Sequence, residues 1–190
     1  MTRLFATVLL GLLCAIPAQA EPLRYELDEA ASSVGFTYSF LGRDYSGQMP
    51  VRSAFVVIDP QNIPASRVRV TIEADRARAA SIPATVAMHS TPVLDTETYP
   101  LISFESSRVI FHGGVAATIE GEITIRGVTR PISLDAKLGR RTETPPEDLS
   151  RLIVLMSGEV SRSAFGADGF ADSVDDTIGL DILADIVLAD

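Results

Sequence analysis

An antiparallel all-β fold is what this chain predicts, and three observations carry that expectation. Almost everything after Glu21 alternates apolar and polar side chains with period two, as strands with one buried face do. The alternating runs are joined by Asx, glycine and proline chemistry, with no helices of ten to fifteen residues interleaved between them. The 170 residues beyond the first twenty are enough for one domain, burying roughly 70% of its unfolded surface.

The first twenty residues stand apart. Arg3 gives a positive start, LFATVLLGLLCAI is too short an apolar run for a membrane span, and Pro17 breaks it. Ala18-Gln19-Ala20 reads as a signal-peptidase site, so residues 1–20 are expected to be a signal peptide and 21–190 one exported domain in the periplasm. The only cysteine, Cys14, leaves with that segment, so the mature chain has no disulfide, thiolate or cysteine ligand.

The strands follow in order. Val34, Phe36, Tyr38 and Phe40 share a face, as do Val68, Val70 and Ile72. Residues 77–95, Ala-rich around Pro83 and Thr85, break the alternation and predict one or two short helices. Asp95 reads as a cap or Asx-turn acceptor, and Pro100 sets the entry to a strand whose Ile102 and Phe104 face inward. Val115, Ala117, Ile119, Ile123 and Ile125 form the next face, then Ile132, Leu134, Ala136 and Leu138. Residues 140–148 are a polar loop, and Ile178 to Leu188 close the series. Eight or so such strands fit a closed barrel or a two-sheet sandwich, which periodicity does not separate. Large side chains gathered on one face favour the barrel, whose interior at eight strands holds one small ligand.

Composition narrows the chemistry. The chain has 16 basic and 25 acidic residues; without Arg3 these become 15 and 25, a net −10. One lysine, Lys137, and scattered arginines do not make a nucleic-acid surface or an anchor for anionic lipid headgroups. Neither histidine, His89 or His112, sits in a metalloprotease motif, and no phosphate-binding or nucleophile-elbow motif is present. The acidic residues Asp168, Asp172, Asp175 and Asp176 lack the spacing of a calcium loop. No catalytic residue, metal or cofactor is expected. The retained alternatives are a hydrolase using His89 or the Asp168–Asp176 carboxylates, and an interaction module for a membrane redox protein. Tryptophan is absent, and Phe36, Tyr38, Phe40, Phe55, Phe104, Phe111 and Phe165 are candidates both for core packing and for lining an apolar ligand cavity.

Several stretches resemble the YceI-like family of exported, lipocalin-like barrels associated with polyisoprenoid lipids. They are Tyr25-Glu26-Leu27-Asp28, Ser32 to Phe36, Val57-Ile58-Asp59-Pro60, Ser90 to Ser106, Gly121 to Pro131, and Arg162 with Phe165-Gly166. The resemblance implies an eight-stranded antiparallel barrel with a short helical segment and an apolar channel for an isoprenoid or quinone-like tail. Met88, Ile102, Ile119, Ile123, Leu134 and Met156 would join the aromatics in that channel, with His89, Ser90 and Arg162 as polar groups at its mouth. Family members commonly carry R-D-x-H-L-(R/K)-S where this chain has Ala84 to Ser90. Ala84, Thr85 and Ala87 thus replace the Arg, Asp and His, and His89 stands where Arg or Lys is usual. The implied role is a carrier or store for a long-chain isoprenoid or other amphiphile, without stable membrane insertion.

Overall fold

The computed structural model describes residues 21–140, 145 and 147–189. The expected signal peptide lies outside the described residues, as does much of the 140–148 loop. In chain order the strands are β1 (Leu23–Leu27), β2 (Ser33–Phe40), β3 (Arg43–Met49), β4 (Val51–Ile58) and β5 (Arg67–Glu73). A helix, α1 (Ile82–His89), precedes β6 (Leu101–Gly113), β7 (Ala116–Ile125), β8 (Val128–Gly139), β9 (Arg151–Ser161) and β10 (Thr177–Leu188).

These ten strands make eight courses of a closed antiparallel barrel. β1 and β2 run in one direction along the same edge of β10, Tyr25 pairing with Leu188 and Leu27 with Ile186, then Ser33 with Leu183 and Thr37 with Gly179. β3 and β4 form a second interrupted course, β3 against β2 and β4 against β1. The interruption falls at Pro50, which has no N–H to offer a ladder. From β4 to β10 each strand pairs with the next in sequence, and β10 returns to β1. The pairing of β10 with β1 closes the ring and excludes the two-sheet sandwich, while β3 is left with β2 on one side and a single bridge, Gln48 to Arg78, on the other.

Inside, Ile72, Ile102, Phe104, Ile119, Ile123, Ile132 and Leu134 form the main core, with a smaller cluster around Tyr25, Val56, Leu152 and Ile186. Two inward positions are glycine where both an aromatic ring and a backbone carbonyl, that of Arg78 at Gly47 and of Glu105 at Gly121, close on the strand. A Cβ on Gly47 would stand 2.1 Å from the Phe36 ring, and one on Gly121 would stand 2.7 Å from the Phe104 ring. β3, RDYSGQM, is exposed along most of its length and so carries no apolar alternation; its hydrogen bonds to β2 make it a strand. β9 adds outward Ile153 and Leu155 to inward Leu152, Val154 and Met156, which blurs its period.

The break between β1 and β2 is clamped by charge. Asp28 gives its N–H to the Asp185 carbonyl at 2.8 Å, and the Ser32 hydroxyl both accepts from Asp185 N and donates to Asp185 O. Arg151 holds both carboxylate oxygens of Asp185, at 2.7 and 3.0 Å, and also pairs with Asp28. The Arg151 guanidinium beside Asp28, Arg69 beside Glu105, and the Ser161 and Ser163 hydroxyls beside Asp176 hold these carboxyls below their usual range. A carboxyl lowered in this way adds stability above its unfolded value near 4, and that stability is lost as pH falls through the folded value. Urea unfolding is therefore expected to show level stability from about pH 5 through neutrality and a progressive loss below about pH 4. Stability that rose on acidification through that window would contradict these pairings.

One end of the barrel is covered. Residues 77–100, including α1, cross it together with the β9–β10 loop, and Phe165 packs from that loop into the core. The cover is tied down by hydrogen bonds from Gly169 N to Pro92 O, 2.7 Å, and from Arg126 Nη1 to the carbonyls of Thr91 and Val93, 2.6 and 2.7 Å. Asp95 acts through its backbone: its φ is 48°, and its carbonyl accepts from Thr98 and Tyr99 N–H. Asp tolerates this left-handed conformation better than most residues.

Candidate ligand-binding site

The two interrupted courses break side by side, and the wall opens there. A cavity of about 560 Å³ lies between the breaks and the segment that leads from β5 to α1. Ser32 and Ser33 border it from the first break, Gln48, Met49 and Pro50 from the second. Asp75, Arg76, Ala77 and Arg78 line the opposite side, with Thr85 and His89 of α1 above them. Val34 and Met49 also pack in the barrel core, so the cavity passes from a polar lip to an apolar inner wall.

Most polar groups of the lip are fixed by the chain itself. Gln48 and Arg78 exchange both backbone hydrogen bonds, each 2.8 Å, extending the wall beyond the end of β5. Arg76 is held by Glu73 at 2.7 Å. The Thr85 hydroxyl donates to Ser81 O and accepts from Ala79 N, so it braces the first turn of α1, whose N-cap is Ser81. His89 Nε2 lies 3.0 Å from the Ala77 carbonyl, which requires the proton on Nε2 and leaves Nδ1 an acceptor in the neutral ring. A second cavity of about 580 Å³ follows the belt of β7 to β10, with Ala117, Ala136, Met156 and Ile182 from the inward rows and Asp135, Lys137, Ser157 and Asp181 beside them. Ser33 borders both cavities.

The family model for the YceI-like domain matches residues 25–186, covering both interrupted courses and the closing strand. This chain belongs to the YceI-like family. A UPF0312 protein of Vibrio parahaemolyticus is 28% identical over 137 residues, 70% of this chain and 72% of that protein. A UPF0312 protein of Pseudomonas aeruginosa is 25% identical over 148 residues, 76% and 77% of the two chains. Among solved structures, BcnA of Burkholderia cenocepacia superposes with a TM-score of 0.74 at 18% identity, over 84% of this chain and 99% of its own. A polyisoprenoid binding domain from Saccharophagus degradans gives 0.63 at 13% identity, over 88% and 99%. At those identities the superpositions establish the shared barrel.

Within this YceI-like barrel, the residues expected to line a cavity divide into four groups. Phe36, Ile102, Phe104, Ile119, Ile123, Leu134 and Phe165 are buried in the interior, and Met156 packs half-buried against them. Tyr38 is half-buried and stacks on Tyr45 with ring centres 5.8 Å apart, while Met88 sits half-buried on α1. Phe40 and Phe111 stand exposed at strand ends, Phe111 at 54%. Phe55 lies on the outer wall, because Val56 takes the inward place on β4. Its ring is flanked there by the guanidinium groups of Arg24 and Arg69, at 5.4 and 5.9 Å. An aromatic in a strand is a poor guide to the inner face where arginines can cover it outside.

The three polar residues expected at the mouth have different settings. His89 does border the lateral cavity. Ser90 caps α1, its hydroxyl donating to Ala87 O. Arg162 is buried, and its guanidinium donates to the carbonyls of Ala167, Gly169, Val174 and Asp175, which makes it the staple of the β9–β10 loop. That loop carries the acidic run, and Asp176 is engaged with Ser161 and Ser163. Among the described residues no three His, Cys, Asp or Glu side chains gather as a metal site. Sequence reasoning missed Ser32, Ser33, Gln48, Arg76 and Arg78. The D-R-A-R run directly after a strand was the one available signal, and the pairing that brings it beside Gln48 joins residues thirty apart.

Proposed function

We propose that this protein is an exported carrier or store that holds an isoprenoid lipid, or another long amphiphile, with its tail in the barrel and its head at the lateral cavity. The observation that carries this reading is the opening in the wall of an otherwise closed barrel, polar at its lip and apolar within. Kinship with a polyisoprenoid binding domain supports it. Each five-carbon isoprene unit removed from water is favourable by about 4 kcal/mol at ~0.8 kcal/mol per CH₂. A bilayer already shelters the same tail, so exchange between bilayer and barrel is near balance, as suits a carrier.

Mature protein purified from the periplasm is expected to begin at Glu21 and to release a long-chain lipid into organic solvent, identified by mass spectrometry. Met49→Trp, placed where the lateral cavity meets the core, is expected to lower lipid occupancy at least tenfold while the barrel remains folded. Protein that yields no amphiphile and takes up no polyprenol or long-chain quinone would end this reading.

A further inference from the structure

Resting on the lipid-binding reading above, we propose that the covered end of the barrel docks reversibly on a bilayer of zwitterionic phospholipid, with Leu41, Ile82, Val86 and Phe170 entering the interface. Ile82, Leu41 and Val86 are the most exposed large apolar side chains among the described residues, at 82, 69 and 66%, and all three lie at this end. Leu41 stands at the tip of the β2–β3 hairpin, which reaches the β9–β10 loop by a hydrogen bond from Leu41 N to Ser173 O, 2.8 Å. Phe170 is exposed on the same loop, and its carbonyl accepts from Ser173 and Val174 N–H, 2.9 Å each. Ile82 and Val86, one helical turn apart, make the outer stripe of α1 across the same end. At the opposite end, the exposed Phe111 and Val115 belong to one hairpin.

The backbone singles out two of these residues. Leu41 and Phe170 have φ of 50° and 60°, a left-handed conformation that is an outlier for a bulky side chain. Such strain gathers where function needs the side chain, and inward packing does not offset it here, since both residues are exposed. Charge selects the occupant. Exposed Asp44, Asp168 and Asp172 lie beside Leu41 and Phe170 in the chain, and Arg43 is the cation next to them. Those carboxylates repel an anionic leaflet but suit the ammonium groups of zwitterionic heads, whose phosphates suit Arg43. Single apolar side chains at a hairpin tip, a loop and a helix turn, set among charges, can sink into a fluid interface, whereas a protein partner would need a fitted pocket for each. Position ties this surface to the lipid route. Thr85 and His89 of α1 border the lateral cavity while Ile82 and Val86 face out, so one helix stands between bilayer and cavity.

Flotation with phosphatidylcholine vesicles reads the docking of protein comprising residues 21–190. Binding is expected, and replacing about a third of the lipid by phosphatidylglycerol is expected to weaken it. Leu41→Asn and Ile82→Asp are each expected to lower binding about tenfold. Both variants should stay folded, with an unchanged urea midpoint. Asparagine tolerates the left-handed conformation better than leucine, and an acidic residue suits the first turn of a helix. Val115→Asp, at the opposite end, is expected to leave binding unchanged. Exchange of a polyprenol between vesicles should slow with Leu41→Asn and Ile82→Asp, while the amount bound at equilibrium holds. Absence of vesicle binding, or binding that survives both substitutions, would overturn the proposal. Stronger binding to the anionic vesicles would overturn the zwitterionic assignment. A concentration-dependent dimer that Leu41→Asn dissolves, without vesicle binding, would give the surface to a second copy of the chain and overturn the bilayer as its partner. Protein that docks but takes up no polyprenol would end the lipid-binding reading and leave the docking surface standing.

Discussion

Arg162→Ala is expected to lower the stability of the barrel by about 3 kcal/mol or more, read as a shift of the urea unfolding midpoint. Arg162 is only 8% exposed, and its removal strips donors from the carbonyls of Ala167, Gly169, Val174 and Asp175 at once. Some of those oxygens can be reached by water once the loop loosens, which keeps the cost below the sum of four lost bonds. Arg162→Lys should recover less than half of the loss, because a compact ammonium cannot reproduce the planar fork that meets oxygens on several sides. Phe165, three residues along, should lose packing with it, since the staple holds the loop that carries this ring into the core. A change below about 1 kcal/mol would mean that the cover is held by other contacts.

Gly121→Ala is expected to cost about 3 kcal/mol, at the upper end of what overpacking usually costs. The added methyl would stand 2.4 Å from the Glu105 carbonyl oxygen and 2.7 Å from the Phe104 ring. The ring is a side chain and can shift, whereas the carbonyl belongs to the β6–β7 ladder. Combining Gly121→Ala with Phe104→Leu should therefore relieve part of the clash and leave the backbone part. The interaction between the two substitutions is measurable by a double-mutant cycle. Strict additivity would show that the ring does not set the requirement for glycine.

Arg126 illustrates how local and distant requirements combine at a turn. Arg126 and Gly127 both have positive φ, 51° and 72°, which matches the two-residue hairpin turns that follow the twist of antiparallel strands. Glycine meets that demand freely, while arginine pays for it with strain. The return is the reach of Arg126 to two carbonyls of the segment across the barrel end. The turn was legible from R-G-V-T between two alternating runs. The purpose of the arginine was not, because its partners lie 33 and 35 residues away.

The chain by itself determined the strands with one buried face, the hairpin turns, helical character within 77–95 and the all-β class. All of these follow from local periodicity and backbone chemistry, which act between near neighbours. Kinship to the YceI-like family was legible too, through motifs spread along residues 25–186. Only the tertiary structure decided that β1 with β2, and β3 with β4, are two broken courses whose interruptions coincide. It also decided that Phe55 faces outward, that Arg162 is a staple, and that Arg78 comes to the lip beside Gln48. Each of those outcomes depends on pairing between strands far apart in sequence. Side-chain alternation assigns a face within one strand, but it carries no information on which breaks will meet when the sheet closes on itself.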